Sequence, residues 1–205
     1  AHCFDMAFEA CRIALEHMIP VFILSDGYLA NGSEPWRFPK ADDLPEINVT
    51  FEKGRKDRTE AYLPYARDDR FVRSWAIPGT PGIEHRVGGL EKEDETGNVS
   101  YDPENHQKMT ELRRNKRDKI AEFVPELNIE QGEEQGEILI LGWGSTYGSI
   151  RTTVEELRNE GFNISQAHAQ YIAPFPSNMA DVLSSFEKVI IPEINDGQLV
   201  RLIRD

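Results

Sequence analysis

The alternation of apolar and amphipathic segments after Gln135 constrains the fold more than any other feature of this 205-residue chain. Short apolar runs typical of buried strands alternate there with stretches that carry apolar residues at helical spacing. Right-handed crossovers turn such a β-α-β-α-β-α series into a doubly wound parallel sheet with helices on both faces. The predicted strands are Ile138–Leu141, Asn163–Tyr171 and Lys188–Ile191, and the predicted helices are Gly148–Asn159, Ser177–Ser185 and a last one from Gly197.

The first half of the chain carries a different pattern. A helix is predicted near Phe4–His17 and a strand at Val21–Leu24, which would form the end of an α/β unit. Residues 26–102 then contain many turn signals and little periodicity, with short strands expected around Ile47–Phe51 and Phe71–Ile77. Because a single strand cannot form a stable sheet, we expect this half to be the tail of a larger domain and the chain to be part of a longer polypeptide.

A highly charged segment connects the two halves. Asp102 provides a helix cap, and residues His106–Val124 predict a long exposed helix that is followed by a polar turn at Glu130–Gln135. We therefore predict two domains, residues 1–127 with a long irregular connector and residues 128–205 as an α/β domain that is truncated at its end.

The composition excludes several classes of protein. A formal net charge of −13 argues against a nucleic-acid surface, and the basic cluster Arg113–Lys119 is interpreted as the solvated face of a helix. Cys3 and Cys11 lack metal-ligand spacing, so we expect buried free thiols and no metal site. Neither a membrane span nor a signal peptide is present, which predicts a cytoplasmic protein.

Local motifs demonstrate no catalytic centre. The stretch GWGSTYG between a strand and a helix has the glycines of a phosphate-binding turn, but it matches neither GxGxxG nor GK[ST]. We interpret it as a tight turn in which Ser145 or Thr146 caps the following helix. His85 and His106 lie in loop-rich sequence and are the histidines best placed for function, although their positions favour a surface or capping role.

The segment Ser25–Trp36, SDGYLANGSEPW, follows the predicted strand at the edge where open α/β sheets place ligands. Its aromatic, amide and carboxylate side chains fit a subunit interface at least as well as a pocket, and we favour the interface. No catalytic residue is assigned and the cofactor-binding residues are unknown. The candidate residues for a substrate or interface loop are Asp26, Tyr28, Asn31, Glu34, Trp36, His85, Asn98 and His106.

Five segments, taken in order, carry a family resemblance. They are FDMAFEACRIALEHMIPVFILSDGYLANGSEPW, PGTPGIEHRVGGLEKEDETGNVSYDPENHQKM, ILGWGSTYGSI, YIAPFP and IPEINDGQL. Together they resemble the alpha subunits of the 2-oxoacid:acceptor oxidoreductase family, and DGYLANGSEPW resembles the 2-oxoglutarate:ferredoxin type, or 2-oxoglutarate synthases, more than the pyruvate type. The resemblance covers nearly the whole chain.

The resemblance implies a thiamine-dependent activity. Such enzymes convert 2-oxoglutarate and CoA to succinyl-CoA and CO2, pass electrons to ferredoxin, and can run in reverse. They use thiamine diphosphate, Mg²⁺ and a [4Fe–4S] cluster, held mainly by a beta subunit, in an assembly expected to be a dimer of alpha-beta units. The first domain would then be the end of a pyrimidine-binding-type domain and the second a transketolase C-terminal-like domain.

Two family features do not occur in this sequence. The YPxTP-type motif and the arginine-bearing segment that contact thiamine and substrate are absent, so we expect the chain to bind no cofactor alone and to be inactive without its partner. No GDG…N pattern of a standalone transketolase-type enzyme occurs either. The alternative is a non-catalytic acidic α/β module for subunit assembly. The preferred 2-oxoacid, the direction of flux and the electron acceptor stay open.

Overall fold

The computed structural model describes residues 2–55, 59 and 61–205, which form two compact units. Unit 1 contains residues 1–23 and 34–120, and unit 2 contains residues 24–33 and 121–205. The short segment 24–33 therefore packs with the C-terminal sheet, although it lies in the first half of the sequence. The domain boundary predicted after residue 127 remains a prediction.

Helices and strands follow the sequence patterns closely in unit 2 and sparsely in unit 1. Among the described residues the helices are α1 (His2–Glu16), α2 (Gly27–Asn31), α3 (Pro103–Lys119), α4 (Tyr147–Asn159), α5 (Met179–Ser184) and α6 (Gln198–Arg204). The strands are β1 (Ile129–Gln131), β2 (Gly136–Trp143), β3 (Ile164–Ala169) and β4 (Phe186–Ile190), with short 3-10 turns at Ala41–Asp43, Ile120–Glu122 and Gly144–Thr146.

The sheet of unit 2 has the strand order β1-β3-β2-β4. β2 pairs in parallel with both β3 and β4, which confirms the predicted α/β class and its parallel sheet. β1 adds an antiparallel edge strand, and it overlaps the polar turn predicted at Glu130–Gln135. That prediction was wrong because a three-residue edge strand needs only one partner, and Ile129 and Gln131 find it in β3.

Helices cover both faces of this sheet because alternate residues of each strand point to opposite sides. Leu139, Leu141 and Ala167 are fully buried on one face, where they pack with residues of α5 and α6 such as Met179 and Leu199. The other face packs against α4 through a smaller cluster, whose buried members are Ile150, Val154 and Ile164. The predicted doubly wound arrangement is confirmed.

Unit 1 is largely irregular between α1 and α3. The two expected short strands meet at an isolated bridge between Phe51 and Trp75, where Trp75 N–H donates to Thr50 O and Glu52 N–H donates to Trp75 O. The Trp75 indole N–H also donates to Leu15 O at 2.8 Å. Polar contacts between distant residues therefore take the place of a sheet in the described part of this unit.

Two expectations about the first 24 residues were wrong. Residues Val21–Leu24 form no strand, since no strand of the described residues pairs with them, and Phe22 and Leu24 are 86 % and 70 % exposed. Cys3 and Cys11 are free, as expected, but they are exposed instead of buried. In α1 only Ile13 is buried among the described residues, because little of unit 1 covers the apolar surface of this helix.

The long charged helix was predicted well. Its cap is Asp102, whose carboxylate accepts the Glu104 N–H at 3.0 Å, and α3 ends at Lys119, a few residues before the expected end. Most of the basic cluster faces solvent, but Lys116 turns inward and donates to Met18 O at 2.7 Å. None of the helices within residues 2–55, 59 and 61–205 is long and apolar enough to cross a membrane.

Candidate functional site

Several polar and aromatic side chains lie at the carboxyl ends of β2 and β3 in unit 2, the edge at which open α/β sheets bind ligands. Asp26 reaches this edge because segment 24–33 belongs to unit 2, and a hydrogen bond from the Ser145 side chain lowers the pKa of its carboxylate. The same carboxylate accepts the Leu29 N–H at 3.0 Å and caps α2. We call Asp26, Trp143, Ser145, Tyr147, His168 and Glu193 the carboxyl edge.

The turn after β2 is held by its own side chains. The Thr146 hydroxyl donates to Trp143 O at 2.7 Å and accepts from Trp143 N–H at 3.2 Å, which closes the 3-10 turn. Thr146 occupies the predicted N-cap position of α4, but its side chain makes no capping hydrogen bond to that helix. The hydroxyl of Ser145 serves Asp26 instead.

Glu193 links this edge to the start of α6. Its two carboxylate oxygens accept the N–H groups of Leu199 at 2.8 Å and Val200 at 3.0 Å. Burial raises the pKa of Glu193, but these bonds, together with hydrogen bonds from Asn195 and Trp143, outweigh burial and lower it. Glu193 is therefore ionised at neutral pH, and its carboxylate stabilises the N-terminus of α6.

Tyr147 and His168 meet edge-to-face, with ring centroids 5.1 Å apart and planes at 87°. A hydrogen bond with Glu130 is the main cause that raises the pKa of Tyr147, and burial adds to it. The Tyr147 hydroxyl also accepts from Arg151 at 3.0 Å. The two rings therefore pack against each other, while the Tyr147 hydroxyl makes polar contacts with Arg151 and Glu130.

Hydrogen bonding and burial shift the pKa values of three groups at the carboxyl edge. Proton transfer at neutral pH requires carboxylates with raised pKa values or phenols with lowered ones. Asp26 and Glu193 have lowered pKa values and Tyr147 has a raised one, so each shift moves away from neutrality. The edge holds segment 24–33 and the start of α6 in fixed conformations.

The other predicted residues of this segment face outward. Tyr28 is 79 % exposed, and Asn31 donates through its side chain to Gly27 O at 2.7 Å within α2. Of the eight candidates, unit 2 thus holds Asp26, Tyr28 and Asn31, and unit 1 holds the other five.

In unit 1, Trp36 forms the centre of an aromatic row. Its ring lies 5.3 Å from Phe4 and 5.0 Å from Phe38, measured between centroids. Trp36 is 39 % exposed and Phe38 is 78 % exposed, and the neighbouring Glu34 is exposed as well. We call Phe4, Trp36 and Phe38 the aromatic row; it has the composition of an interface anchor.

The remaining three candidates lie on loops of unit 1 or next to them. His85 donates through Nδ1 to Ile83 O at 2.9 Å and packs against Tyr62 with centroids 5.4 Å apart. Asn98 is exposed, and its carbonyl accepts from Glu93 N–H in a tight turn. His106 is 67 % exposed and its Nδ1 lies 2.6 Å from Glu91 Oε2. The described structure gives each of them a local structural role.

The available donor groups do not fit a metal or a cluster. Among the described residues no group of three or more His, Cys, Asp or Glu side chains could hold a metal ion. A [4Fe–4S] cluster requires cysteine thiolates that converge, whereas Cys3 and Cys11 are both exposed on one helix. No chemical step can therefore be assigned to such a group through these residues.

Comparison with known families places the chain. Residues 1–104 match the family model described as pyruvate flavodoxin/ferredoxin oxidoreductase, thiamine diphosphate-binding. The chain belongs to this family.

Among curated relatives, the chain is 46 % identical over 205 residues to 2-oxoglutarate oxidoreductase subunit KorA of Mycobacterium tuberculosis, covering all of this chain and 30 % of that subunit. It is 30 % identical to the alpha subunit of 2-oxoacid:ferredoxin oxidoreductase 1 of Aeropyrum pernix, covering 96 % of this chain and 31 % of that subunit. The chain therefore spans about a third of the length of these relatives.

A solved structure supports the fold of this family member. It is the 2-oxoglutarate:ferredoxin oxidoreductase from Magnetococcus marinus with 2-oxoglutarate, coenzyme A and succinyl-CoA bound. The match has a TM-score of 0.88 and 31 % identity, and it covers 98 % of this chain and 35 % of that chain. The family resemblance drawn from the sequence segments is confirmed.

Sequence reasoning missed one residue in each unit. Ser145 was treated as a helix cap, and nothing local indicates that its partner is Asp26, more than 100 positions earlier. Lys92 lies in the charged run LEKEDETGN, which predicts a solvated turn, yet the residue is 4 % exposed. No pattern in the sequence distinguishes it from its exposed neighbours.

Proposed function

We propose that the chain is part of the alpha subunit of a thiamine diphosphate-dependent 2-oxoglutarate:ferredoxin oxidoreductase. The C1–C2 bond of 2-oxoglutarate breaks and CO2 leaves. The remaining acyl group forms a thioester with the CoA sulfur, one proton is released, and two electrons pass to ferredoxin. The reverse reaction carboxylates succinyl-CoA.

The observation that carries this proposal is the 46 % identity over the whole chain to a subunit named for 2-oxoglutarate. The likeness to a structure that holds 2-oxoglutarate, coenzyme A and succinyl-CoA supports the same substrates. Since the matched proteins extend well beyond this chain, the activity belongs to an assembly of which these residues are one portion.

The cofactors are proposed to be held elsewhere in that assembly. Thiamine diphosphate is expected from the family, and Mg²⁺ and a [4Fe–4S] cluster are proposed on the beta subunit. The lack of converging metal donors and thiolates among the described residues supports this division of labour. We further propose a dimer of alpha-beta units with ferredoxin as the electron acceptor.

Within the alpha subunit, these residues are proposed to shape and position, without direct catalysis. The hydrogen bond between Asp26 and Ser145 supports a role for segment 24–33 as a fixed wall beside the carboxyl edge. The exposed aromatic row supports a role for Trp36 as a contact with the beta subunit. His85, Asn98 and His106 are proposed to stabilise the loops that surround the substrate or the interface.

The test uses the full-length alpha subunit purified with its beta subunit. We expect CoA-dependent reduction of a low-potential dye with 2-oxoglutarate, and much slower reduction with pyruvate. Faster turnover of pyruvate, or dye reduction that does not need CoA, would contradict the proposal.

The interface role is tested separately with Trp36→Ala and a control at an exposed aromatic residue outside the row, Tyr101→Ala. Trp36→Ala should weaken the affinity between subunits, measured by calorimetric titration, whereas Tyr101→Ala should leave it unchanged. Equal affinities for both variants would remove the role of Trp36.

A further inference from the structure

The ammonium group of Lys92 is buried without a partner in unit 1. The residue is 4 % exposed, and within residues 2–55, 59 and 61–205 its Nζ has no hydrogen-bond partner. A charged group withdrawn from water is strongly unfavourable unless an opposite charge or an acceptor compensates it. Native proteins therefore rarely leave such a group alone, and binding of an ion or ligand is a common explanation.

The acidic residues next to Lys92 in sequence are already engaged by other groups. The Glu93 carboxylate accepts the Thr96 hydroxyl. The Glu91 carboxylate contacts His106 and Arg113, and the Asp94 carboxylate contacts Arg67 and Lys108. None of these contacts includes the Lys92 ammonium.

The backbone holds Lys92 in this orientation. The side-chain amide of Asn105 donates to Lys92 O at 2.9 Å and accepts the Asp94 N–H at 3.0 Å. An antiparallel bridge also joins Lys92 to Val99. The inward direction of the lysine is therefore fixed from both sides of its peptide unit.

Gly88 lies next to the ammonium, and Gly89 follows it in the chain. A Cβ atom added at Gly88 would lie 3.7 Å from Lys92 Nζ, and one added at Gly89 would meet nothing within 4 Å. Both glycines are exposed, so no side chain at these two positions shields the ammonium from a molecule that approaches past them.

We propose that Lys92 is an anion-binding residue whose ammonium receives a carboxylate or phosphate oxygen of a small molecule that approaches past Gly88. The identity of that molecule rests on the proposed function, because 2-oxoglutarate carries carboxylates and CoA carries phosphates. The anion site itself does not depend on it. A charge-assisted hydrogen bond in such a protected position adds about tenfold or more to affinity.

The experiment measures binding without turnover, on the full-length alpha subunit in its complex with the beta subunit. Glutarate is the carboxylate probe and inorganic phosphate is the phosphate probe, each titrated by calorimetry. Lys92→Met removes the charge at nearly constant length, and Lys40→Met removes an exposed lysine as the control. We expect Lys92→Met to weaken one probe at least about tenfold and Lys40→Met to leave it unchanged.

The probe that responds identifies the source, with glutarate pointing to the 2-oxoacid and phosphate pointing to CoA. Equal affinity of both probes for wild type and Lys92→Met would overturn the proposal, and so would the absence of binding of either probe to wild type.

A second pair of variants decides the matter if Lys92→Met does not fold. Gly88→Ala places a methyl group beside the ammonium, whereas Gly89→Ala places one in open space. Weaker binding for Gly88→Ala alone supports the site, and equal binding for both variants overturns it. A complex that oxidises 2-oxoglutarate but shows no Lys92-dependent binding would overturn this inference and leave the proposed function intact. A complex in which Lys92→Met weakens probe binding but which does not oxidise 2-oxoglutarate would overturn the proposed function alone.

Discussion

The two units of this chain reach a defined structure by different means. Unit 2 builds it from a sheet whose central residues Leu139, Leu141 and Ala167 are fully buried between helices. Unit 1 has few regular elements outside α1 and α3, and side-chain hydrogen bonds such as that of Asn105 join its loops to a helix. Polar contacts can therefore specify the conformation of an irregular segment that has no sheet. The stability of such a segment should be sensitive to single substitutions of polar residues.

The largest effect should come from the core of unit 2. Leu141→Ala should lower the free energy of unfolding by about 2–5 kcal/mol, because it removes buried methyl groups and leaves a cavity in the sheet. Urea denaturation of the full-length subunit measures this. Leu202→Ala, at a residue 51 % exposed in α6, is the control and should change it by about 0.5 kcal/mol or less. Similar losses for both would show that the sheet core is not the main source of stability.

The next largest effect should come from the two side-chain hydrogen bonds of Asn105 in unit 1. Asn105→Ala removes two hydrogen bonds and leaves Lys92 O and Asp94 N–H without their partner, which should cost about 1–3 kcal/mol. Asn115→Ala, on the exposed side of the same helix, should be neutral or slightly stabilising because alanine favours helices. If Asn105→Ala were as mild as Asn115→Ala, polar contacts would not specify unit 1.

A pH-dependent effect should distinguish Lys116 in unit 1. Burial, followed by repulsion from Arg73 and Arg67, lowers the pKa of Lys116 to about 8, below its usual value near 10.4. Between these two values the unfolded chain binds more protons than the folded one, so stability should rise as the pH rises from about 8 to about 10.4.

Urea midpoints measured across this range test the effect. Lys116→Met should flatten the rise, while Lys40→Met should retain it. An unchanged slope in Lys116→Met would show that the rise originates from other groups.

The smallest effect should come from Asp26, which is half-buried. Asp26→Ala removes the acceptor for the Leu29 N–H and for the Ser145 hydroxyl, so α2 should open more often. Hydrogen exchange of the Leu29 amide should become several-fold faster, whereas Asp26→Asn should largely preserve its protection. Identical exchange rates in wild type and Asp26→Ala would contradict the role of this cap.

The sequence predicted unit 2 far better than unit 1, for a physical reason. Alternation of apolar residues is local information, and β2, β3 and β4 fall close to their predicted positions because each strand also finds a neighbouring strand in the fold. Val21–Leu24 carries the same apolar signal, but a strand exists only with a partner, and none pairs with it among the described residues.

The candidate site was predictable only in part. The segment that contains Asp26 was predicted to follow a strand at Val21–Leu24, which does not form, and Asp26 instead contacts Ser145 after β2 of unit 2. The partnership with Ser145 and the burial of Lys92 depend on contacts between residues that are distant in sequence or on the packing around a loop. Such contacts leave no periodic pattern in the chain.

The hydrogen bond from Lys116 to Met18 joins residues 98 positions apart. At a translation rate of about 5–20 residues per second, Met18 is synthesised roughly 5–20 seconds before Lys116, which donates to its carbonyl. The strands β2 and β3, by contrast, pair after only a few dozen residues. During synthesis, then, the contact between Met18 and Lys116 forms only after α3 has emerged from the ribosome, later than the pairing of neighbouring strands in unit 2 would require.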